Sequence, residues 1–287
     1  MIGCVGDAFL DVSVRLEEPL KPQTDTTANI QTRQGGSAAN VAVEAARLCG
    51  SAKFIGVIGA DLFGQQISAE LSQKGVEVCG PSTGRTGCIV ALLNERGEAS
   101  MLSDRGGAAQ MSSWEPNWLE GLKALHVTSY AFFAEPLATA ARELLVAAAQ
   151  AGVLTSVDVS SVGGVQQFGV ARYADMLREL PVDVLLPNAA EAALLASEVE
   201  LSSLVDVVVT KQGAGPTLLH QGTRLEQFPP SQLTEVVDTV GAGDAFAAGL
   251  LVARAVEGRS WPEAVLAGQE ASASLLHQRT QSRTAKR

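Results

Sequence analysis

Residues 124–159, ALHVTSYAFFAEPLATAARELLVAAAQAGVLTSVDV, set two short strand-like runs, 124–130 and 153–159, on either side of the helical stretch PLATAARELLVAAAQAG. Strand, helix, strand is the unit of a parallel sheet, and the same alternation continues in both directions. Downstream, VDVLLP (182–187) reads as a strand and NAAEAALLA (188–196) as the helix after it. Upstream, MIGCVGDA opens as a short buried strand ending at a turn, and AANVAVEAARLCG (38–50) is a helix closed by Gly50. AKFIGVIG (52–59) is again strand-like, and LFGQQISAELSQKG (62–75) is an amphipathic helix stopped by Gly75. These repeats predict an α/β fold with a doubly wound, mostly parallel sheet covered by helices on both faces. Residues 1–287 are read as one domain, since no internal repeat, low-complexity tract or linker divides them.

Four runs break the rhythm. DVSVRL (11–16), ANIQTRQ (28–34), TGCIVALLN (86–94) and EASMLSD (98–104) alternate like strands, the last two joined by a turn at Glu95-Arg96-Gly97. They predict a small antiparallel flap, or lid, inserted at about 11–34 and 86–104. It is expected to cover the carboxyl ends of the parallel strands, where open α/β sheets bind ligands. The basic tail RTQSRTAKR is expected to fray.

Composition narrows the chemistry. With 46% hydrophobic residues the chain can bury a core. No apolar run reaches membrane-spanning length and no basic leader precedes one, so a soluble, cytoplasmic protein is expected, without a membrane partner. The 31 acids against 21 bases, a formal charge of -10, disfavour nucleic acid while leaving room for a local anion site. Four scattered cysteines without a CxxC pair and three histidines suggest neither a zinc site nor a disulfide framework.

The candidate chemistry gathers where strands end and helices begin. In VDTVGAGDAFAAGL (237–250), Asp244 lies in the first turn of a helix, and Gly241 and Gly243 leave backbone N–H groups uncovered at the positive end of the helix dipole. Asp244 alone fits either dipole compensation or an anion site. In GGSAAN (35–40), Gly35 and Gly36 allow close backbone approach and Asn40 offers donor and acceptor; the alternative is a glycine turn with Ser37 as N-cap. Asp7 and Asp11 flank the end of the first strand. Asn188 and Glu191, three apart on one helix face, suit either a capping pair or a hydrated magnesium ion. No GxxxxGK[ST] occurs, and the absent GxGxxG argues against a dinucleotide oxidoreductase.

Taken in order, Gly6-Asp7 with Asp11, GGSAAN, GVIGADLFG (56–64), Asn188-x-x-Glu191 and DTVGAGDAF (238–246) resemble the ribokinase-like, or PfkB-type, carbohydrate kinases, a family that includes sugar and nucleoside kinases. The resemblance spans nearly the whole chain. It implies ATP-dependent phosphorylation of a hydroxyl, with Asp244 as general base and Gly241, Ala242 and Gly243 as an anion hole. It implies substrate contacts from Asp11, Gly35, Gly36, Asn40 and Glu135, ATP contacts around Thr210, Gly213 and Gly215, and Mg²⁺ organised through water by Asn188 and Glu191. In such relatives the flap pairs between subunits, which implies a homodimer. Arg105 fits either a solvated arginine or a ligand for a phosphate or acid.

The chain also departs from the family pattern. Ser37 stands where ribokinases proper carry lysine, and Thr210-Lys211-Gln212-Gly213-Ala214-Gly215 brings the usual glycines closer together. Only 18 residues separate Glu191 from Thr210, so a peripheral helix is expected to be missing. Asp238 survives from the potassium site of some members, but the C-terminal segment lacks the accompanying glycine, so no monovalent-cation requirement is expected. The predicted flap strands contain no aromatic residue, which favours a sugar over a nucleoside acceptor, although Phe9, Tyr130, Phe132 and Phe133 remain candidates for stacking. A non-catalytic sugar-binding protein of the same fold is the alternative from another class.

Overall fold

The computed structural model describes residues 1–93, 99–231 and 239–284. The first strand β1 (Ile2–Val5) runs directly into β2 (Phe9–Leu16) and β3 (Ala28–Gly35), after which the chain returns as α1 (Ser37–Cys49), β4 (Ala52–Ile55), α2 (Leu62–Gln73) and β5 (Val76–Cys79). A second excursion, β6 (Gly87–Leu93) and β7 (Ala99–Asp104), precedes β8 (Ala124–Thr128), α3 (Leu137–Gln150), β9 (Leu154–Asp158), α4 (Val162–Phe168) and α5 (Val170–Glu179). The chain then forms β10 (Val184–Leu186), α6 (Ala189–Ala196), β11 (Val207–Thr210), β12 (Thr217–Gln221), β13 (Arg224–Phe228), α7 (Ala242–Leu251) and α8 (Trp261–Thr284).

Among the described residues nine strands form one sheet in the order β13-β12-β11-β10-β9-β8-β1-β4-β5. The seven strands from β11 to β5 are parallel, and β12 and β13 add an antiparallel edge. Successive side chains of a strand point to opposite faces, so each central strand feeds two cores. Val184, Leu186, Val207 and Val209 pack with Ala42 and Ala45 of α1, Leu250 of α7 and Val265 of α8. The alternate residues Leu185 and Val208 pack with Leu144 and Leu145 of α3 and with Tyr173 and Leu177 of α5. This is the expected doubly wound arrangement.

The four remaining strands make a separate sheet in the order β3-β2-β6-β7. Its outer pairs are antiparallel as expected, but the central pair, β2 with β6, is parallel. Topology gives the reason: both strands leave the main body in the same direction, Phe9 opposite Gly87, and each returns along its own outer partner. Strand β2 also begins earlier than expected, so Phe9 belongs to this sheet. The turn expected at Glu95-Arg96-Gly97 lies outside the described residues, as does Asp238. A short 3-10 turn, Leu201–Ser203, is the only helical element described between α6 and β11.

At the C-terminus, the described part of the tail expected to fray is helical through Thr284, and 285–287 lie outside the described residues. No described helix is long and apolar enough to cross a membrane. Helix α7, which begins at the glycine loop, is set by backbone-close packing on α8. A Cβ added at Gly249 would stand 2.7 Å from the Ala267 carbonyl oxygen and 2.7 Å from the Ala271 Cβ. Gly249→Val is therefore expected to lower stability by ~1–3 kcal/mol, the usual cost of overpacking. Urea unfolding checks it, and an unchanged midpoint would refute this account of the helix pair.

Candidate active site

The carboxyl ends of β9, β10 and β11 and the start of α7 open onto a cleft of about 690 Å³. Parallel strands deliver their following residues to one edge, which is why Asp158, Asn188 and Lys211 meet here although far apart in sequence. The Lys211 N–H donates to the Pro187 carbonyl at 2.9 Å, and Lys211 forms a parallel bridge with Asn188 just beyond the β10–β11 ladder.

Asp244 lies in the first turn of α7, behind Gly241, whose φ of 80° is left-handed. Both oxygens of its carboxylate are engaged by α1: Ser37 Oγ donates to one at 2.7 Å and Asn40 Nδ2 to the other at 2.9 Å. Asn40 is oriented in turn by Gln34 Nε2, which donates to its Oδ1 at 3.2 Å. Burial pushes the Asp244 carboxyl above the ordinary range, reinforced by Asp158 and opposed by Ser37, Asn40 and Lys211. Ser37 is thus the first residue of α1 and a ligand of Asp244; the N-cap position is Gly36, at φ 97°. A Cβ at Gly36 would stand 2.3 Å from the Asp7 carbonyl oxygen, so only glycine brings the chain through here.

Of the three expected anion-hole donors, the Ala242 N–H is engaged by the Thr239 carbonyl at 3.1 Å. Two cations flank the loop. A Cβ at Gly243 would lie 3.5 Å from Lys211 Nζ, and one at Gly241 3.6 Å from an Arg279 guanidinium nitrogen. Asn188 and Glu191 form a reciprocal capping box on α6: the Glu191 N–H donates to Asn188 Oδ1 at 3.0 Å, and the Asn188 N–H to Glu191 Oε2 at 2.8 Å. Burial raises the Glu191 carboxyl, and the nearby Asp158 adds to the shift. Both capping residues face the cleft. Among the described residues, no group of three or more His, Cys, Asp and Glu side chains is placed to hold a metal.

On the side of the four-stranded sheet, Arg105 pairs with the buried Asp7 and lies over the rings of Phe9 and Tyr130, 5.8 and 5.0 Å from their centroids. It is therefore a paired arginine that remains partly exposed. Asp7 Oδ1 is buried with no hydrogen-bond partner in the structure. Asp11 lies against Gly35, where a Cβ would stand 2.2 Å from its carboxyl carbon, and is 3.6 Å from Arg33 Nε.

Several expected residues lie elsewhere. Glu135 is exposed beside the start of α3, where it accepts from the Thr139 N–H at 3.0 Å and pairs with Arg142. Thr210 is buried at the end of β11, and Gly213 lines the cleft while Gly215 does not. Phe132 is buried in the core, which removes it as a stacking surface, and the half-buried Phe133 packs on Phe168 and Tyr173. Tyr130 lines the cleft. The expectations missed Asp158 and Lys211, an ion pair inside the cleft. Asp158 closes a parallel strand and Lys211 follows one, so the strand-end rule could have found both.

The model of the pfkB family carbohydrate kinases matches residues 1–286. The chain is similar to a fructokinase of Escherichia coli, 30% identical over 90% of this chain and 86% of the relative. It is also similar to an ATP-dependent ribose-1-phosphate kinase of Halopiger xanaduensis, 32% identical over 94% and 92%. The solved adenosine kinase of Sinorhizobium meliloti shares the fold at a TM-score of 0.84 and 22% identity, over 96% of this chain and 93% of that one.

Removing the capping acceptor tests how α6 is held. Asn188→Ala is expected to cost ~1 kcal/mol, as for other caps replaced by alanine. Chemical unfolding measures it, and a loss near zero would show that the reciprocal cap does not hold α6.

Proposed function

This chain belongs to the pfkB family of carbohydrate kinases, phosphotransferases that act on hydroxyl groups, and we propose that it transfers the γ-phosphoryl group of ATP to a hydroxyl of a sugar or sugar phosphate. The observation that carries this reading is the Asp244 carboxylate, clamped by Ser37 and Asn40 at the glycine-rich start of a helix within the cleft. A carboxylate whose affinity for a proton is raised, and whose orientation is fixed, suits a general base. The acceptor hydroxyl gives its proton to Asp244 as its oxygen bonds to the γ-phosphorus and the bond from phosphorus to ADP breaks. The N–H groups of Gly241 and Gly243, joined by Ala242 when its bond to Thr239 opens, are aimed at the charge on the moving group.

Mg²⁺ fits the donor set. It usually keeps several waters and takes one or two carboxylates with substrate phosphates, and Glu191 with Asn188 at the cleft wall offers that without a closed cage. It would supply charge neutralisation at the phosphates. In this reading Gly213 lines the nucleotide end, with Thr210 buried at the end of β11 and Gly215 off the cleft wall. Asp11, Gly35, Gly36 and Asn40 form the acceptor side, with the unpartnered Asp7 Oδ1 as a further acceptor of a substrate hydroxyl. A sugar or sugar phosphate is preferred on the similarity to a fructokinase and a ribose-1-phosphate kinase, while Phe9 on β2 and Tyr130 at the cleft keep a nucleoside as the second reading. The four-stranded sheet serves as the lid that keeps water from the phosphoryl group. Exposed Ile30 on β3 and Met101 and Leu102 on β7 support a homodimer through it.

Asp244→Asn is expected to leave ATP and sugar binding in place while cutting turnover by at least ~10²-fold. A coupled assay over a panel of sugars, sugar phosphates and nucleosides measures it; wild-type turnover in the variant would refute the general base. The pH profile gives a separate check. The base must be deprotonated to act, so activity falls as pH drops through its raised pKa. The acid limb of kcat/KM is expected to have its midpoint above about 4, the ordinary carboxylate value; a limb at or below that value would contradict the assignment.

A further inference from the structure

The cleft combines an anionic wall with an anionic substrate. Among the described residues lining it, Asp158, Glu191 and Asp244 are the carboxylates and Lys211 is the cation, with Arg279 standing behind the lining at the Gly241 side of the loop. A triphosphate entering this wall meets repulsion unless positive charge is already in place, and the protein as a whole carries a formal charge of -10. Lys211 supplies that charge close to the glycine loop, with its ammonium 3.5 Å from where a Gly243 Cβ would stand.

The position of Lys211 is determined from both ends. Its backbone is tied to Pro187 and bridged to Asn188, and its ammonium is paired with Asp158. Asp158 is itself oriented by the Ser160 N–H, which donates to its Oδ1 at 2.9 Å. The side chain is largely buried, 15% exposed, so little rotamer freedom remains to be lost when a phosphate arrives.

We propose that Lys211 is a catalytic residue that contacts the phosphoryl group during transfer, moving part of its ion pair from Asp158 to the phosphate oxygens beside Gly243. This rests on the kinase reading above. As the acceptor oxygen bonds to the γ-phosphorus and the bond to the bridging oxygen of ADP breaks, the hydroxyl proton passes to Asp244 and negative charge moves onto ADP. Lys211 keeps its proton throughout and acts as a fixed positive charge. Burial opposes that charge, but Asp158, Glu191 and Asp244 outweigh it and raise the ammonium above its ordinary range.

The competing account is a structural ion pair joining β9 to β11. Lys211→Met alone leaves Asp158 buried without its partner and lowers stability under either account. The variant Lys211→Met/Asp158→Asn separates them, since it removes the buried charge on both sides. It is expected to recover thermal stability relative to Lys211→Met, yet to keep kcat depressed by ~10²-fold or more, as when one donor to a developing charge is lost. The acceptor KM should change little, and Lys211→Arg should retain part of the turnover. Recovery of wild-type kcat in the double variant would overturn the proposal. Absence of ATP-dependent phosphorylation of the whole acceptor panel by the wild type would instead remove the kinase reading beneath it.

Discussion

A carboxylate taken out of water must be given hydrogen bonds or a counter-charge, and at Asp244 that requirement joins distant parts of the chain. Its two donors come from the first turn of α1 and the acid itself from the first turn of α7, so two helix starts are held against one another. The glycines follow from this contact. α1 can begin where it does only because the backbone at Gly36 passes within a Cβ's reach of the Asp7 carbonyl, and α7 begins behind a left-handed Gly241. Helix α8, packed backbone to backbone on α7 at Gly249, keeps the second of these starts from drifting.

Around this centre, charge is arranged in two ion pairs, each with a buried acid. Asp7 with Arg105 lies towards the four-stranded sheet and Asp158 with Lys211 at the carboxyl ends of β9 and β11, so each place carries one positive group already matched to an acid. Such pairs are poor sources of net stability, because desolvation offsets most of the attraction. Their value lies in holding charge at a stated place before any ligand arrives. Asp7 Oδ1, left over from the first pair, shows that the matching is incomplete towards the four-stranded sheet.

Much of this was legible in the sequence for physical reasons. The parallel sheet announces itself through short apolar strands alternating with longer helical runs, as in 124–159, and the strand-end rule placed Asn188, Glu191 and Asp244 near one edge. Pairing direction within the small sheet was not legible. Alternating residues mark a strand but not its neighbour, so the parallel β2–β6 pair required knowing that both strands leave the body side by side. Partner choice was equally hidden. Ser37 looked like an N-cap because its type and place fit one; its actual acceptor lies 207 residues away. Glu135 shows the opposite case, with its partners Thr139 and Arg142 both local to one helix start.

The route of the chain through the small sheet has a mechanical consequence. β3 ends at Gly35, one residue before the cap of α1, and Gln34 on that strand holds Asn40. The sheet is therefore no loose flap hung from flexible linkers. It is a lever whose short arm is the first turn of α1. A displacement of β3 would reach the two donors of Asp244 through a few covalent bonds and one amide contact, so the position of the small sheet and the alignment of the carboxylate are mechanically joined.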